Sequence, residues 1–184
     1  SITIRELPKI FPNLNIVMID DLSTQRYASL FNLPENANYQ FIEADVLSTD
    51  LQPAFENADI VIHLAAITNA SASFDNRTKV EHVNYNATAK VAEACIQTGA
   101  SLIHLSSTSV YGTQNEIVDE TCSNEELKPQ SPYAESKLLE ERYLHELGKQ
   151  KKLSFIICRF GTICGISTGM RFHTAVNKFC WQAV

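Results

Sequence analysis

Short β-branched runs alternate with helix-patterned segments along the chain, and that alternation leaves few folds open. Runs at 16–20, 39–43, 60–64, 101–106 and 153–158 read as strands. Ile60-Val61-Ile62-His63-Leu64 and Phe155-Ile156-Ile157-Cys158 are apolar at successive positions, as parallel strands covered on both faces require. Between strands, Val80, Val83, Ala87, Val91 and Ala94 recur at three- and four-residue steps, which predicts a helix over 79–97 with Gly99 as its C-cap. A second helix is predicted over 132–147, with Ser131 as N-cap, Pro132 in the first turn and Gly148 closing it. The expected class is α/β, a doubly wound parallel sheet.

Composition narrows the partners. A formal charge of −6 offers no basic surface for a nucleic-acid backbone. No apolar run approaches the roughly 20 residues that span a bilayer, and no basic-then-apolar leader opens the chain, so a cytoplasmic protein without membrane association is expected. Cys95, Cys122, Cys158, Cys164 and Cys180 contain no Cys-x-x-Cys pair and lie mostly in apolar segments; they read as reduced core or near-core thiols, and no metal site is expected. The polar, aperiodic segment 113–130 reads as an ordered surface loop leading into the second helix. Segments 1–11 and 172–184 both read as helical but start or stop abruptly, which suggests a piece of a longer chain.

The chemistry is carried by two stretches. In Ser131-Pro132-Tyr133-Ala134-Glu135-Ser136-Lys137, Tyr133 and Lys137 stand four apart on one helix face. Upstream, Leu105-Ser106-Ser107-Thr108-Ser109-Val110-Tyr111-Gly112 ends a strand in hydroxyls. A phenol has an unperturbed pKa of about 10, so ionising it near pH 7 requires about 4 kcal/mol of stabilisation. A neighbouring ammonium lowers that pKa.

These stretches, together with Val17-Met18-Ile19-Asp20-Asp21-Leu22-Ser23, Glu43-Ala44-Asp45-Val46, His63-Leu64-Ala65-Ala66, Asn84-Tyr85-Asn86-Ala87-Thr88 and Arg159-Phe160-Gly161-Thr162, resemble the extended short-chain dehydrogenase/reductase family, specifically its nucleotide-sugar epimerases and dehydratases. The resemblance implies a Rossmann-like NAD-binding domain over 1–165 and the start of a substrate-binding region over 166–184. It also implies that a first strand and a glycine-rich phosphate loop precede Ser1; no Gly-x-x-Gly-x-x-Gly occurs in this sequence, so no residue takes over the pyrophosphate grip. Without that strand, the second and third strands of the order 3-2-1-4-5-6 are separated from the fourth to sixth.

By the same resemblance, Asp20, with Asp21 and Leu22, takes the adenosine ribose and favours NAD over NADP. Asp20 is alternatively a turn aspartate, and Arg26 is the residue that would argue for the extra phosphate. Asp45 and Val46 border the adenine; Leu64, Ala65 and Ala66 allow close backbone approach to the cofactor, or simply tight packing. Asn84 belongs to the cofactor site and supports its backbone and a proton relay, and Phe160 lies at the cofactor. Tyr133 is the base, Lys137 its ammonium and a ribose ligand, and the family register selects Ser107 as the catalytic hydroxyl. Ser107, Thr108, Tyr133 and Asn177 are implied at the substrate, and His173 has no assigned role.

The reaction these imply is NAD-dependent 4-epimerisation of a nucleotide sugar through a transient 4-keto intermediate. The nearest alternative is a 4,6-dehydratase, whose members carry an Asp-Glu pair after the strand hydroxyl where this chain has Thr108 and Ser109. A different class of alternative is a non-catalytic cofactor-binding protein. The resemblance further implies a homodimer through the two long helices, and an inactive chain wherever the phosphate loop is lacking.

Overall fold

The computed structural model describes residues 2–68, 70, 73–114, 117–170 and 174–183. The chain divides into two compact units, one formed by 1–45 with 162–184 and the other by 46–161. The strands fall into two parallel sheets, as the sequence partition predicts.

In the first unit, α1 (Thr3–Ile10) leads into β1 (Leu14–Asp20), which pairs in parallel with β2 (Ala37–Glu43) from Leu14 opposite Ala37 to Asp20 opposite Glu43. Pro8 sits inside α1 and has no N–H, so the Ile4 carbonyl loses its helical donor. The Tyr39 hydroxyl donates to that carbonyl at 3.2 Å, and Asn36 Nδ2 donates to the Pro8 carbonyl at 2.7 Å. α1 is thereby fastened to β2 and to the turn before it. Later in the chain, α5 (Ala175–Gln182) belongs to the same unit.

The second unit contains the short α2 (Gln52–Phe55), β3 (Ile60–His63), α3 (Arg77–Thr98), β4 (Ser101–Ser107), α4 (Pro132–Lys151) and β5 (Phe155–Phe160). β4 is the central strand, parallel to β3 and β5. Leu102, His104 and Ser106 of β4 alternate with half-exposed neighbours and are buried beneath α3 and α4, which pack on one another. Full apolar cover of both strand faces is not what this unit shows: Ile60 and Ile156 remain exposed.

Gly99 caps α3 in the left-handed region at φ 80°, as predicted. Gly148 does not end α4; the helix runs on to Lys151 and Lys152 takes the left-handed cap at φ 56°. Gly148 is there for space, since a Cβ would stand 2.5 Å from Phe155 Cε1. The loop 113–130 contains a 3-10 turn at Asn124–Glu126 closed by a Ser123/Glu126 capping box. Among the cysteines only Cys95 is buried, Cys122 and Cys158 are half-buried, and Cys164 and Cys180 are exposed; all are free thiols. The apolar context of Cys164 and Cys180 therefore did not translate into burial. No helix among the described residues is long and apolar enough to cross a membrane.

Candidate functional site

Ser107 closes β4 and becomes the N-cap of a 3-10 turn over Thr108–Tyr111. Its parity on the strand is opposite to the buried Leu102, His104 and Ser106, which leaves it half-exposed at the sheet's carboxyl end. Ser107 Oγ accepts from the Ser109 N–H at 3.2 Å and from the Ser109 hydroxyl at 2.8 Å. An oxygen that accepts twice is fixed in place and keeps its own hydrogen available to donate. The turn then leaves through Gly112 at φ 66°, where a Cβ would lie 1.9 Å from the Lys128 carbonyl oxygen. Only glycine fits there.

Ser131 caps α4 by accepting from Ala134 N–H at 3.1 Å, and Pro132 starts the helix. Tyr133 is half-buried, and its N–H donates to Ser73 Oγ at 3.3 Å. One turn on, Lys137 is only 3% exposed and donates from Nζ to Glu140 Oε2 at 3.0 Å. Thr88 on α3 donates to the same oxygen at 2.8 Å.

Asn84 is fully buried, as a residue with an inward structural role must be. Its Oδ1 accepts from Ile67 N–H at 2.8 Å, and its Nδ2 donates to the Ile67 carbonyl at 3.1 Å and to Ser136 Oγ at 3.2 Å. Ser136 in turn donates to the Tyr133 carbonyl at 2.9 Å. One amide thus joins the segment just after Leu64-Ala65-Ala66 to the first turn of α4. Ala65 and Ala66 are half-buried there, while Leu64 is exposed and lies one residue past the end of β3.

A second polar group underlies the site. Arg159 grips Glu141 with two nitrogens, Nε to Oε1 at 3.1 Å and Nη2 to Oε2 at 2.6 Å. Ser106 donates to Glu141 Oε1, and the Arg159 guanidinium lies 4.8 Å from the Tyr111 ring centroid. These hydrogen bonds, Glu141 foremost, hold the guanidinium pKa above its ordinary value. Two imidazoles complete the interior: His63 and His104 are partners across β3 and β4, with ring centroids 5.8 Å apart. Burial, then the Lys137 charge, pushes His63 down to about 3; burial, Lys137 and His63 push His104 down to about 2. Both are neutral at physiological pH. His104 Nε2 lies 3.3 Å from Glu140 Oε2 but outside hydrogen-bond alignment.

Glu140, Glu141, Ser136 and the two histidines were not singled out from the sequence. Glu140 stands three residues after Lys137 and seven after Tyr133, a spacing that places an acid on the buried face of the helix.

The residues expected at a dinucleotide are divided between the two units. Asp20 is exposed at the carboxyl end of β1, and its Oδ1 accepts from Leu22 N–H at 2.8 Å. The turn role is therefore real, and the second carboxylate oxygen is the kind of acceptor a ribose hydroxyl needs. Asp21 accepts from Ser23 N–H at 3.0 Å, and hydrogen bonds from Ser23 lower its carboxyl pKa. Leu22 turns the chain at φ 53°. Asp45 ends the first unit and is exposed; Val46 opens the second and is half-buried. Phe160 is exposed at the end of β5, and Thr108 donates to its carbonyl at 3.5 Å. Asn177 is buried in the first unit and accepts from Gly165 N–H at 3.1 Å, holding a loop. His173 lies outside the described residues.

Each unit taken by itself carries a group of the kind a ribose hydroxyl needs, the Asp20 carboxylate in the first and the Lys137 ammonium in the second. Pyrophosphate donors of the glycine-loop kind are not in the sequence. Among the described residues no His, Cys, Asp and Glu cluster could hold a metal ion.

The profile of the NAD dependent epimerase/dehydratase family matches residues 13–183. The chain is 31% identical to the uncharacterised UDP-glucose epimerase YtcB of Bacillus subtilis, over 91% of this chain and 55% of the relative. It is 30% identical to mouse (Mus musculus) dTDP-D-glucose 4,6-dehydratase, over 90% of this chain and 47% of the relative. The crystal structure of UDP-glucuronic acid 4-epimerase from Bacillus cereus, in complex with UDP-glucuronic acid and NAD, superposes with a TM-score of 0.79 at 30% identity, covering 92% of this chain and 55% of that one. The chain thus spans about half the length of these proteins.

Proposed function

The chain belongs to the NAD-dependent epimerase/dehydratase family, and on that footing we propose that it supplies the C4 proton-handling site of a nucleotide-sugar 4-epimerase. When bound, NAD supplies the acceptor and later the donor of the C4 hydride. The chain's own residues handle the proton. The Tyr133 oxygen takes it from the sugar C4 hydroxyl and returns it, the Lys137 ammonium favours the phenolate, and Ser107 donates its free hydrogen to the reacting oxygen. Thr108 borders the same oxygen and Asn177 contacts the sugar nucleotide. Asp20, Asp21, Leu22, Asp45, Val46, Leu64, Ala65, Ala66 and Phe160 border the cofactor, with residues 1–165 forming its domain and 166–184 the start of the substrate region.

The observation that carries the reading is the fixing of Ser107 by Ser109. Both polar groups of Ser109 donate to Ser107 Oγ, and no carboxylate stands at 108 or 109 to expel a C6 hydroxyl. Epimerisation needs only the C4 machinery; dehydration needs that further acid. The test is incubation of the full-length protein with NAD and UDP-glucose, UDP-glucuronic acid or their N-acetyl counterparts, with products resolved by NMR. The expected product is the C4 epimer of at least one, lost in Tyr133→Phe. A 4-keto-6-deoxy sugar would move the assignment to dehydration, and no product with NAD bound would overturn it.

We further take the protein to be cytoplasmic and homodimeric through the outer faces of α3 and α4, a geometry supported by the packing of those helices side by side. The 184-residue chain alone is expected neither to hold NAD tightly nor to turn over, because its sequence has no glycine-rich phosphate loop. Micromolar binding in an NAD titration of this chain would contradict that.

A further inference from the structure

The buried carboxylate beside Lys137 has no part in the reaction as outlined, yet it touches the group that tunes the base. Glu140 is fully buried; Oε2 accepts from Lys137 Nζ at 3.0 Å and from Thr88 Oγ1 at 2.8 Å, while Oε1 has no hydrogen-bond partner among the described residues. An ammonium lowers a nearby phenol's pKa, and a carboxylate in contact with that ammonium offsets its field. His104 on β4 lies 3.3 Å from Glu140 and His63 on β3 packs on His104, with the Glu141–Arg159 pair beyond; Tyr133 precedes Lys137 by one turn of α4. Both imidazoles are neutral, and among the described residues Glu140 is the carboxylate paired with Lys137.

We propose that Glu140 is a positioning residue: it fixes the Lys137 ammonium within the α3–α4 interior and raises the pH at which the Tyr133–Lys137 pair gives up its first proton. Glu140 lies two helical turns from Tyr133 on the same face and acts on the phenol through the lysine it contacts. The pair is treated as one titrating unit, because its members interact strongly. The site is thereby held protonated until substrate arrives. This rests on Tyr133 and Lys137 acting together, but the measurement below reads their protons whether or not any sugar is turned over.

The test is carbon-13 NMR of the protein labelled at tyrosine Cζ, with Tyr133 assigned through Tyr133→Phe. In Glu140→Gln, which keeps an acceptor for Thr88, the first proton of the pair is expected to leave about one pH unit lower. Glu140→Asp, which restores the charge, should bring it back up. An unmoved or raised titration in folded Glu140→Gln overturns the proposal. Should that variant not fold, the Glu140 carboxyl carbon of the unsubstituted protein is followed instead. It is expected to be ionised at pH 7 and to shift at the pH where Tyr133 titrates; a protonated or unresponsive carboxyl overturns the proposal equally.

Discussion

Taking the pH from 7.5 to 5 should remove about 4 kcal/mol of folding stability through His63 and His104 alone. In the unfolded chain a histidine titrates near 6.5. In the fold, burial and the Lys137 charge depress His63 to about 3 and His104 to about 2. The sign follows: below about 6.5 the unfolded chain binds protons that the folded one refuses, so stability is intact above that pH and lost as pH falls toward 3. At pH 5 the unfolded imidazole is almost fully protonated and the folded one almost fully neutral. Each histidine then costs about 2 kcal/mol, and the result hardly changes if either folded value is a unit higher. In the unfolded chain carboxylates take up protons mainly near pH 4, below this window. The assay is urea unfolding by circular dichroism at half-unit intervals from pH 7.5 to 5, with His63→Asn and His104→Asn alongside. Each substitution lowers stability at pH 7.5 by its own packing loss but should remove about half of the pH slope. A wild-type change below about 1 kcal/mol, or a slope the variants leave intact, would refute the assignment of both imidazoles as buried and neutral.

Arg159→Met should cost about 2–4 kcal/mol in urea unfolding at pH 7.5, somewhat below the range for breaking a fully buried pair because the arginine is partly exposed. A cost near zero would mean that Glu141 finds another partner. Gly112→Ala should cost at least about 2 kcal/mol, since its Cβ meets the Lys128 carbonyl oxygen and its φ disfavours a side chain; a neutral outcome would mean that the turn after Ser107 is not built as described. With a thiol reagent on the native protein, Cys164 and Cys180 should react promptly while Cys95, buried with its pKa raised to about 11, reacts only on unfolding. Prompt labelling of Cys95 would contradict its burial.

The alternation of strand and helix was legible because β-branched runs and three-four apolar spacing are local signals. The same holds for Ser131 and Gly99, whose roles follow from backbone groups a few residues away. Gly148 misled because a glycine near a predicted helix end reads as a stop, whereas its cause is Phe155 packing from β5. The choice of Ser107 from a run of hydroxyls depended on a family register; what the fold adds is that Ser106 is buried against Glu141 while Ser107 is half-buried. Asn84 could be expected inside from its apolar helix face, but its partners Ile67 and Ser136 could not be read from sequence. Glu140 and Glu141 were missed for a related reason. Acids in a helix ordinarily mark the solvated face, and only the cations and hydroxyls of other elements allow these two inside.

Those two adjacent glutamates also fix how α4 presents the site. Successive helical residues point about 100° apart, so Glu140 reaches Thr88 of α3 while Glu141 reaches Ser106 of β4 and Arg159 of β5. Turning the helix by one residue would separate Glu140 from Thr88, and Glu141 from Ser106 and Arg159, at once. Losing the Glu141–Arg159 pair alone costs about 2–4 kcal/mol, a large share of what many domains have in total. The burial of Leu138, Leu144 and Leu147 on the same helix is non-directional, whereas these hydrogen bonds are directional. The polar interior therefore supplies rotational specificity more than net stability. Tyr133 inherits it through the same helix, with its carbonyl tied to Ser136 and Ser136 to Asn84. The backbone of Tyr133, the base of the proposed reaction, is thus held by hydrogen bonds to Ser73 and Ser136.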